Sequence, residues 1–249
     1  VTPSRREVLA GLAALVACGR SRPHTRPSPP VSPSSSPAPS PSASPAGLPS
    51  FVRHGPRTRA AVALTFHGSG DLALAHALLD EAERAGARIT VFAVGQWLAA
   101  NPSFAGRLRA GGHELANHTY THPSLGRLPA ARVREEIGRC AAVIASVSGG
   151  GRGAWFRPSA MAVPDAVVLA EARRAGYPTV VGYDVDSRDF TDPGAGAIRA
   201  TVARGVRHGS IVSLHLGHRG TVEAMPGLLA GLRDGGRDAV TVSELLTRK

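Results

Sequence analysis

Lysine, cysteine and aromatic residues are scarce in this chain of 249 residues, and each shortage closes off some chemistry. The only lysine is Lys249, which excludes a lysine nucleophile or Schiff base. Two cysteines, Cys18 and Cys140, exclude a disulfide-stapled fold and any all-cysteine zinc site. Aromatics make up 4% of the chain, so the core has to be built mostly from Ala, Val, Leu and Ile. No apolar run approaches the roughly 18 residues of a membrane-spanning helix, which excludes a polytopic membrane protein.

Charge and proline are unevenly spread. Residues 1–59 hold 8 Arg and 1 acidic residue, and residues 60–249 hold 21 Lys+Arg and 17 acidic residues, giving +7 and +4 of the total +11. The basic excess is therefore concentrated in the N-terminal part, and no basic stripe with interleaved aromatics marks a nucleic-acid surface. Ten prolines and ten serines lie between Ser21 and Ser50, a composition that cannot build a core. Before them, Arg5-Arg6 precedes the short apolar run Val8–Ala17, in the manner of a twin-arginine export leader. Leu15-Val16-Ala17-Cys18 resembles a bacterial lipobox, in which the cysteine is lipidated and becomes the mature N-terminus. These patterns divide the chain into a signal peptide over 1–17, a disordered linker over 18–50 and a folded domain over 51–249. At about 3.1 Å per residue the linker reaches about 100 Å. The expected location is the outer face of a bacterial cell membrane, with the membrane contacted through the lipid alone. Cys140 lies in the apolar stretch CAAVIASV, where a core thiol is expected to be inert.

From residue 59 onward, apolar β-branched runs alternate with helical periodicity. Strands are expected at 59–66, 88–94, 113–116, 154–156, 178–183, 210–214 and 239–242. Helices are expected at 72–85, 101–110 (capped by Asn101), 129–147, 164–175, 195–206 and 221–233. Such alternation means parallel strands with helical crossovers, either as an open sheet or as a barrel. His67, Asn117-His118, Arg157, Asp184 and His215 fall at strand ends, which in βα folds share one rim where chemistry collects. His118 and His122 are four apart; at the start of a helix both imidazoles would share one face and could share a divalent ion of the zinc type. His24, His54, His76, His113 and His208 read as linker, surface or structural residues.

Here the motifs resemble a family. GHELANHTYTHPSL is similar to the second motif of the polysaccharide deacetylases (NodB homology), which carries a metal-binding histidine pair. WFRPSA with Arg157, YDVDSRDF with Asp186, Asp189 and Phe190, and GSIVSLHLGH with Leu214 and His215 resemble the third to fifth motifs in order, and the likeness spans about residues 60–246. The resemblance implies a distorted, incomplete (β/α) barrel of about seven parallel strands. It also implies metal-dependent removal of N-acetyl groups from a cell-wall or extracellular glycan by a protein expected to be a monomer. Through it, His118 and His122 become metal ligands, His215 the general acid and Leu214 a wall of the acetyl pocket. Arg157 and Asp186 or Asp189 become orienting ion pairs.

The first motif departs from the family's Thr-Phe-Asp-Asp-Gly. Thr65-Phe66-His67-Gly68-Ser69-Gly70-Asp71 puts His67 in the place of the catalytic base and Gly68 in the place of the ligand aspartate. Ser159-Ala160 and Leu216 also depart, where the family often has Pro-Tyr and Asp. Two repairs are open. Asp71 folds back to complete a His-His-Asp site with His67 as base, or His67 is itself the third ligand with Asp71 as base or supporting partner. Two other readings stand beside a deacetylase: a membrane-anchored glycan-binding pseudoenzyme, and an amidohydrolase acting on a peptide or small amide.

Overall fold

A computed structural model describes residues 47–247. Among the described residues, eight strands and eight α-helices largely alternate. The strands are β1 (Phe51–Val52), β2 (Ala61–Gly68), β3 (Thr90–Ala93), β4 (Glu114–Asn117), β5 (Val180–Val181), β6 (Val185–Asp186), β7 (Ile211–His215) and β8 (Asp238–Val240). The helices are α1 (Leu72–Arg84), α2 (Gly95–Ala100), α3 (Ser103–Ala110), α4 (Ala130–Ser148), α5 (Ala166–Arg174), α6 (Ala195–Gly205), α7 (Arg219–Asp234) and α8 (Val242–Thr247). Every strand pair is parallel, as helical crossovers require. Five strands run in the order β4-β3-β2-β7-β6, and β8 pairs with the first residues of β2. Bridges through Phe156 join β4 to β5, and β5 pairs with β1. Among the described residues no pairing joins β1 to β6, so the sheet is an incomplete barrel rather than a closed one.

The two faces of the sheet bury different material. Val62, Leu64 and Phe66 of β2 join Val91, Val212 and Leu214 in a large apolar cluster with Leu78, Leu79, Leu228 and Leu229 of α1 and α7. Each such fully buried side chain contributes about 1.5–3 kcal/mol. Alternate residues face the concave side, where Ala61, Ala63, Phe92, Ala116, Trp155 and Ile211 form a second cluster. Thr65, His67 and His215 share that parity. Small residues near the strand starts and polar ones at the strand ends thus set the chemistry at one rim.

Several expected elements shift. Asn101 does not cap α3: it closes the preceding α2, and its side chain donates to the Trp97 carbonyl at 2.9 Å. The stretch 154–156 supplies only the Phe156 bridges, and 178–183 only the two-residue β5. The residues after β8 form the short helix α8. Asp184 does not reach the rim. It bonds the Ile211 amide at 2.8 Å and Arg57 at 2.7 Å, at the start of β7 and so at the other end of that strand from His215. No described helix is long and apolar enough to cross a membrane.

Candidate active site

Parallel pairing of β2 with β7 puts His67 and His215 in register at the ends of their strands. Both project to the concave side, and His67 Nδ1 lies 2.8 Å from His215 Nε2. On the far side of His215, Nδ1 is 2.7 Å from Asp189 Oδ1. The carboxylate of Asp189 is fully buried and also accepts from the His215 amide at 2.8 Å and from the Thr221 hydroxyl at 2.7 Å. Burial alone would raise its pKa, but the hydrogen bonds and charge of His215 and the bond from Thr221 outweigh this and hold it below the usual value. An ionised carboxylate only accepts, so His215 Nδ1 donates to it. With one proton on each ring, His215 Nε2 accepts from His67 Nδ1–H, and His67 Nε2 is left as a bare lone pair.

His118 follows the last residue of β4, and its amide extends the β3–β4 ladder by bonding the Ala93 carbonyl at 3.0 Å. Its Nδ1 donates to the Arg157 carbonyl at 2.9 Å, which makes its Nε2 the lone pair. The His118 ring stacks on His67 with centroids 4.4 Å apart and contacts His122 at 4.9 Å. The Nε2 atoms of His67 and His118 are both buried without a hydrogen-bond partner. Burial lowers the pKa of His67, His118 and His122, helped by the charges of His118, His122 and His215 respectively. Each shift favours the neutral ring, the form in which imidazole ligates a metal.

His118 and His122 do not lie on a helix. Thr119 and His122 both adopt left-handed φ, 66° and 61°, and the segment is a loop that folds the second ring back against the first. Its clamp is Glu136 on the buried face of α4, which the sequence reading overlooked. The Glu136 carboxylate accepts from the Tyr120 amide (2.9 Å), the Thr121 amide (2.8 Å) and the Thr121 hydroxyl (2.8 Å). Asn117 supports the same loop by accepting from the Thr119 amide at 3.0 Å. The signal for Glu136 was an acidic residue inside the apolar period of Val133, Ile137 and Cys140. Thr221, also overlooked, read only as the first residue of a helix.

Asp71 is placed away from the imidazoles' work. Its side chain is exposed and caps α1, accepting from the Leu74 amide at 3.0 Å. The loop before it is pinned rather than free. The Trp97 indole donates to the Gly70 carbonyl at 2.8 Å. Gly70 and Gly217 approach so closely that a Cβ on Gly217 would stand 2.8 Å from the Gly70 Cα. The expected folding-back of Asp71 is therefore not what the structure shows.

Three further expectations change. Arg157 makes no carboxylate pair among the described residues. Its fully buried guanidinium donates to the carbonyls of Val181 (3.1 Å) and Gly182 (3.0 Å) and lies 4.1 Å over the Phe92 ring. Burial pulls its pKa down to about 9. Asp186 accepts from the Arg188 amide two residues on, at 3.0 Å, and among the described residues it is Asp189 that orients His215. Leu214 is fully buried in the cluster beneath the helices, on the face of β7 opposite His215, and lines no pocket there. Over the rim opens a cleft of about 320 Å³ walled by His67, His122, Arg157, Tyr183, Phe190 and His215. Cys18 lies outside the described residues.

This arrangement can be set beside known proteins. A family model described as polysaccharide deacetylase matches residues 54–180. The chain belongs to the polysaccharide deacetylase family. A peptidoglycan-N-acetylglucosamine deacetylase of Bacillus cereus is 30% identical over 204 residues, 78% of this chain and 92% of its own. A chitooligosaccharide deacetylase of Bradyrhizobium sp. (strain ANU 289) is 36% identical over 133 residues, 52% of this chain and 58% of its own. Several relatives are longer: the chain spans only 40% of the peptidoglycan deacetylase PgdA of Listeria monocytogenes. A CE4 family pseudoenzyme from Bacillus anthracis superposes with a TM-score of 0.74 at 23% identity, over 80% of this chain and 69% of its own, a likeness of fold alone. The α/β fold with an unclosed parallel sheet is that of these structures.

Metal chemistry in this family can be tested against the residues present. Two bare Nε2 atoms beside a third imidazole suit a borderline ion such as zinc. No carboxylate joins them from the end of β2, because residue 68 is glycine and Asp71 caps α1. Among the described residues no three His, Cys, Asp or Glu side chains already surround one point closely enough to hold an ion. The fit is thus to imidazole donors only.

Proposed function

We propose that the chain hydrolyses N-acetyl groups on a cell-wall or extracellular polysaccharide, with a divalent metal ion as cofactor. The observation that carries this reading is the four-histidine cluster: His67, His122 and His215 line one cleft, His118 packs beneath against His67 and His122, and Asp189 fixes His215 from behind. The buried Nε2 atoms of His67 and His118 lack partners side by side in this cluster, which suits a donor role. His118 and His122 would hold the ion, which when bound supplies polarisation of the acetyl carbonyl. His215, held by Asp189 through its Nδ1–H, would take the attacking water's proton at Nε2 once its contact with His67 opens, and return it to the leaving amine. Phe190, 47% exposed and 5.3 Å from His215, supplies an apolar wall beside the reacting group. Export and anchoring through a lipid on Cys18, with the Pro/Ser-rich segment as spacer, belong to the same proposal, as does monomeric action.

The test is acetate release from N-acetylated peptidoglycan fragments and chitooligosaccharides, before and after chelation and metal return. Release that chelation abolishes and metal restores is the expected result. Gly68 and the capping role of Asp71 favour one second reading, a glycan-binding pseudoenzyme. Binding of these glycans with no release under any metal would put it in place of the first.

A further inference from the structure

We infer that His67 is the third metal donor, so that the site is a three-histidine one formed with His118 and His122 and contains no protein carboxylate. The inference rests on the metal-dependent reading above and deepens it. Three observations carry it. First, His67 and His118 share a pattern: each has Nδ1 engaged and Nε2 buried and bare. A metal-ligating histidine ordinarily shows this arrangement, because its second N–H is donated to a fixed acceptor that sets ring and tautomer. For His118 the acceptor is the Arg157 carbonyl; for His67 it is His215, itself held by Asp189. Second, position 68 has no side chain to donate, and one there would crowd its neighbours. A Cβ there would lie 2.7 Å from Val91 Cγ1 and 2.9 Å from the Ala93 Cα, within the paired β2 and β3 backbones. Third, Asp71 is fixed as the α1 cap by a loop with two anchors, the Trp97 indole and the Gly70–Gly217 contact. Closing the donor set requires the His67 and His118 rings, inclined by 26°, to turn until their lone pairs converge, and His122 to join them from its loop.

The experiment titrates the full chain with Co²⁺ and Zn²⁺, reading the cobalt d–d spectrum and the calorimetric stoichiometry. One ion per chain is expected. Asp71→Asn, which preserves the helix cap, should bind it with little change. His67→Gln should weaken binding by at least about 100-fold, and Asp189→Asn, which disturbs the outer partner, by about 10–100-fold. His67→Cys guards against a variant that misfolds. If position 67 touches the ion, the Co²⁺ complex acquires a thiolate charge-transfer band. Absence of that band in a folded His67→Cys protein overturns the inference. So does loss of the ion on Asp71→Asn, full affinity in His67→Gln, or a wild-type chain that binds no ion. Acetate release is scored separately. An ion bound through His67 without any release upholds this inference and removes the deacetylase reading. Release that depends on an ion held by Asp71 does the reverse.

Discussion

His67 and His215 meet at 2.8 Å, nitrogen to nitrogen, and Asp189 stands directly behind His215. The pair is a consequence of register: β2 and β7 are parallel neighbours, and both strands end on the same level. Position 67 therefore carries a ring that bonds directly to His215. One buried carboxylate orients both.

Asp189→Asn tests that dependence. The carboxylate accepts from the His215 ring, the His215 amide and the Thr221 hydroxyl, and an amide turns a donor toward at least one of them. The His215 tautomer is no longer fixed. Turnover for acetate release should fall by about 10²–10⁴-fold, with a smaller change in KM. Steady-state kinetics on a variant with wild-type circular dichroism checks it. An unchanged kcat would show that His215 needs no orienting partner.

The broad fold was legible because its signals are periodic and local. Helical stops at Gly86 and Gly176 and the β-branched runs at 88–94 and 210–214 located most elements within a few residues. The His118–His122 geometry was not, since a spacing of four is met equally by a helical face and by a loop with two left-handed residues. Leu214 was misplaced for a different reason. The motif resemblance implies a pocket wall, whereas the period-two parity of β7 puts it opposite His215. Glu136 and Thr221 act across 15 and 32 residues of chain, a distance no local pattern spans.

Glu136→Ala should loosen the histidine loop. Glu136 is buried and satisfies two amides and a hydroxyl of Tyr120 and Thr121. Their loss should cost about 1.5–3 kcal/mol, visible as a lower urea midpoint. Ion affinity should fall as well, because His122 is held on that loop. Destabilisation with an unaltered ion affinity would separate the clamp from the site.

Stability of the chelated protein should fall with acid, beginning above the carboxylate range. His67 and His118 have folded pKa values well below their ordinary 6.5, through burial first. The unfolded chain takes up protons there that the folded site refuses. Stability is full above about pH 6.5 and is lost as pH falls from that value toward the lowered folded pKa values, by about 1.4 kcal/mol per pH unit for each imidazole. Urea midpoints at about pH 7.5 and 5.5 measure the effect. His67→Gln should flatten the slope by one proton, and an identical slope would show that His67 titrates normally.

Gly68→Asp adds a carboxylate where the neighbouring strand leaves little room for one. β2 and β3 pair at Gly68 and Ala93, and the missing Cβ would press on the Ala93 Cα at 2.9 Å and on the Val91 side chain at 2.7 Å. Val91 could turn aside; the Ala93 backbone is held in the β3–β4 ladder as well and has no such freedom. Gly68→Ala alone should therefore cost about 1–3 kcal/mol, and Gly68→Asp at least as much. Neither should raise ion affinity or acetate release. Thermal unfolding and Co²⁺ titration of both variants decide the matter. A Gly68→Asp protein as stable as wild type and binding the ion more tightly would mean that the strands can part, and that the absent carboxylate has a cause other than the closeness of β2 to β3.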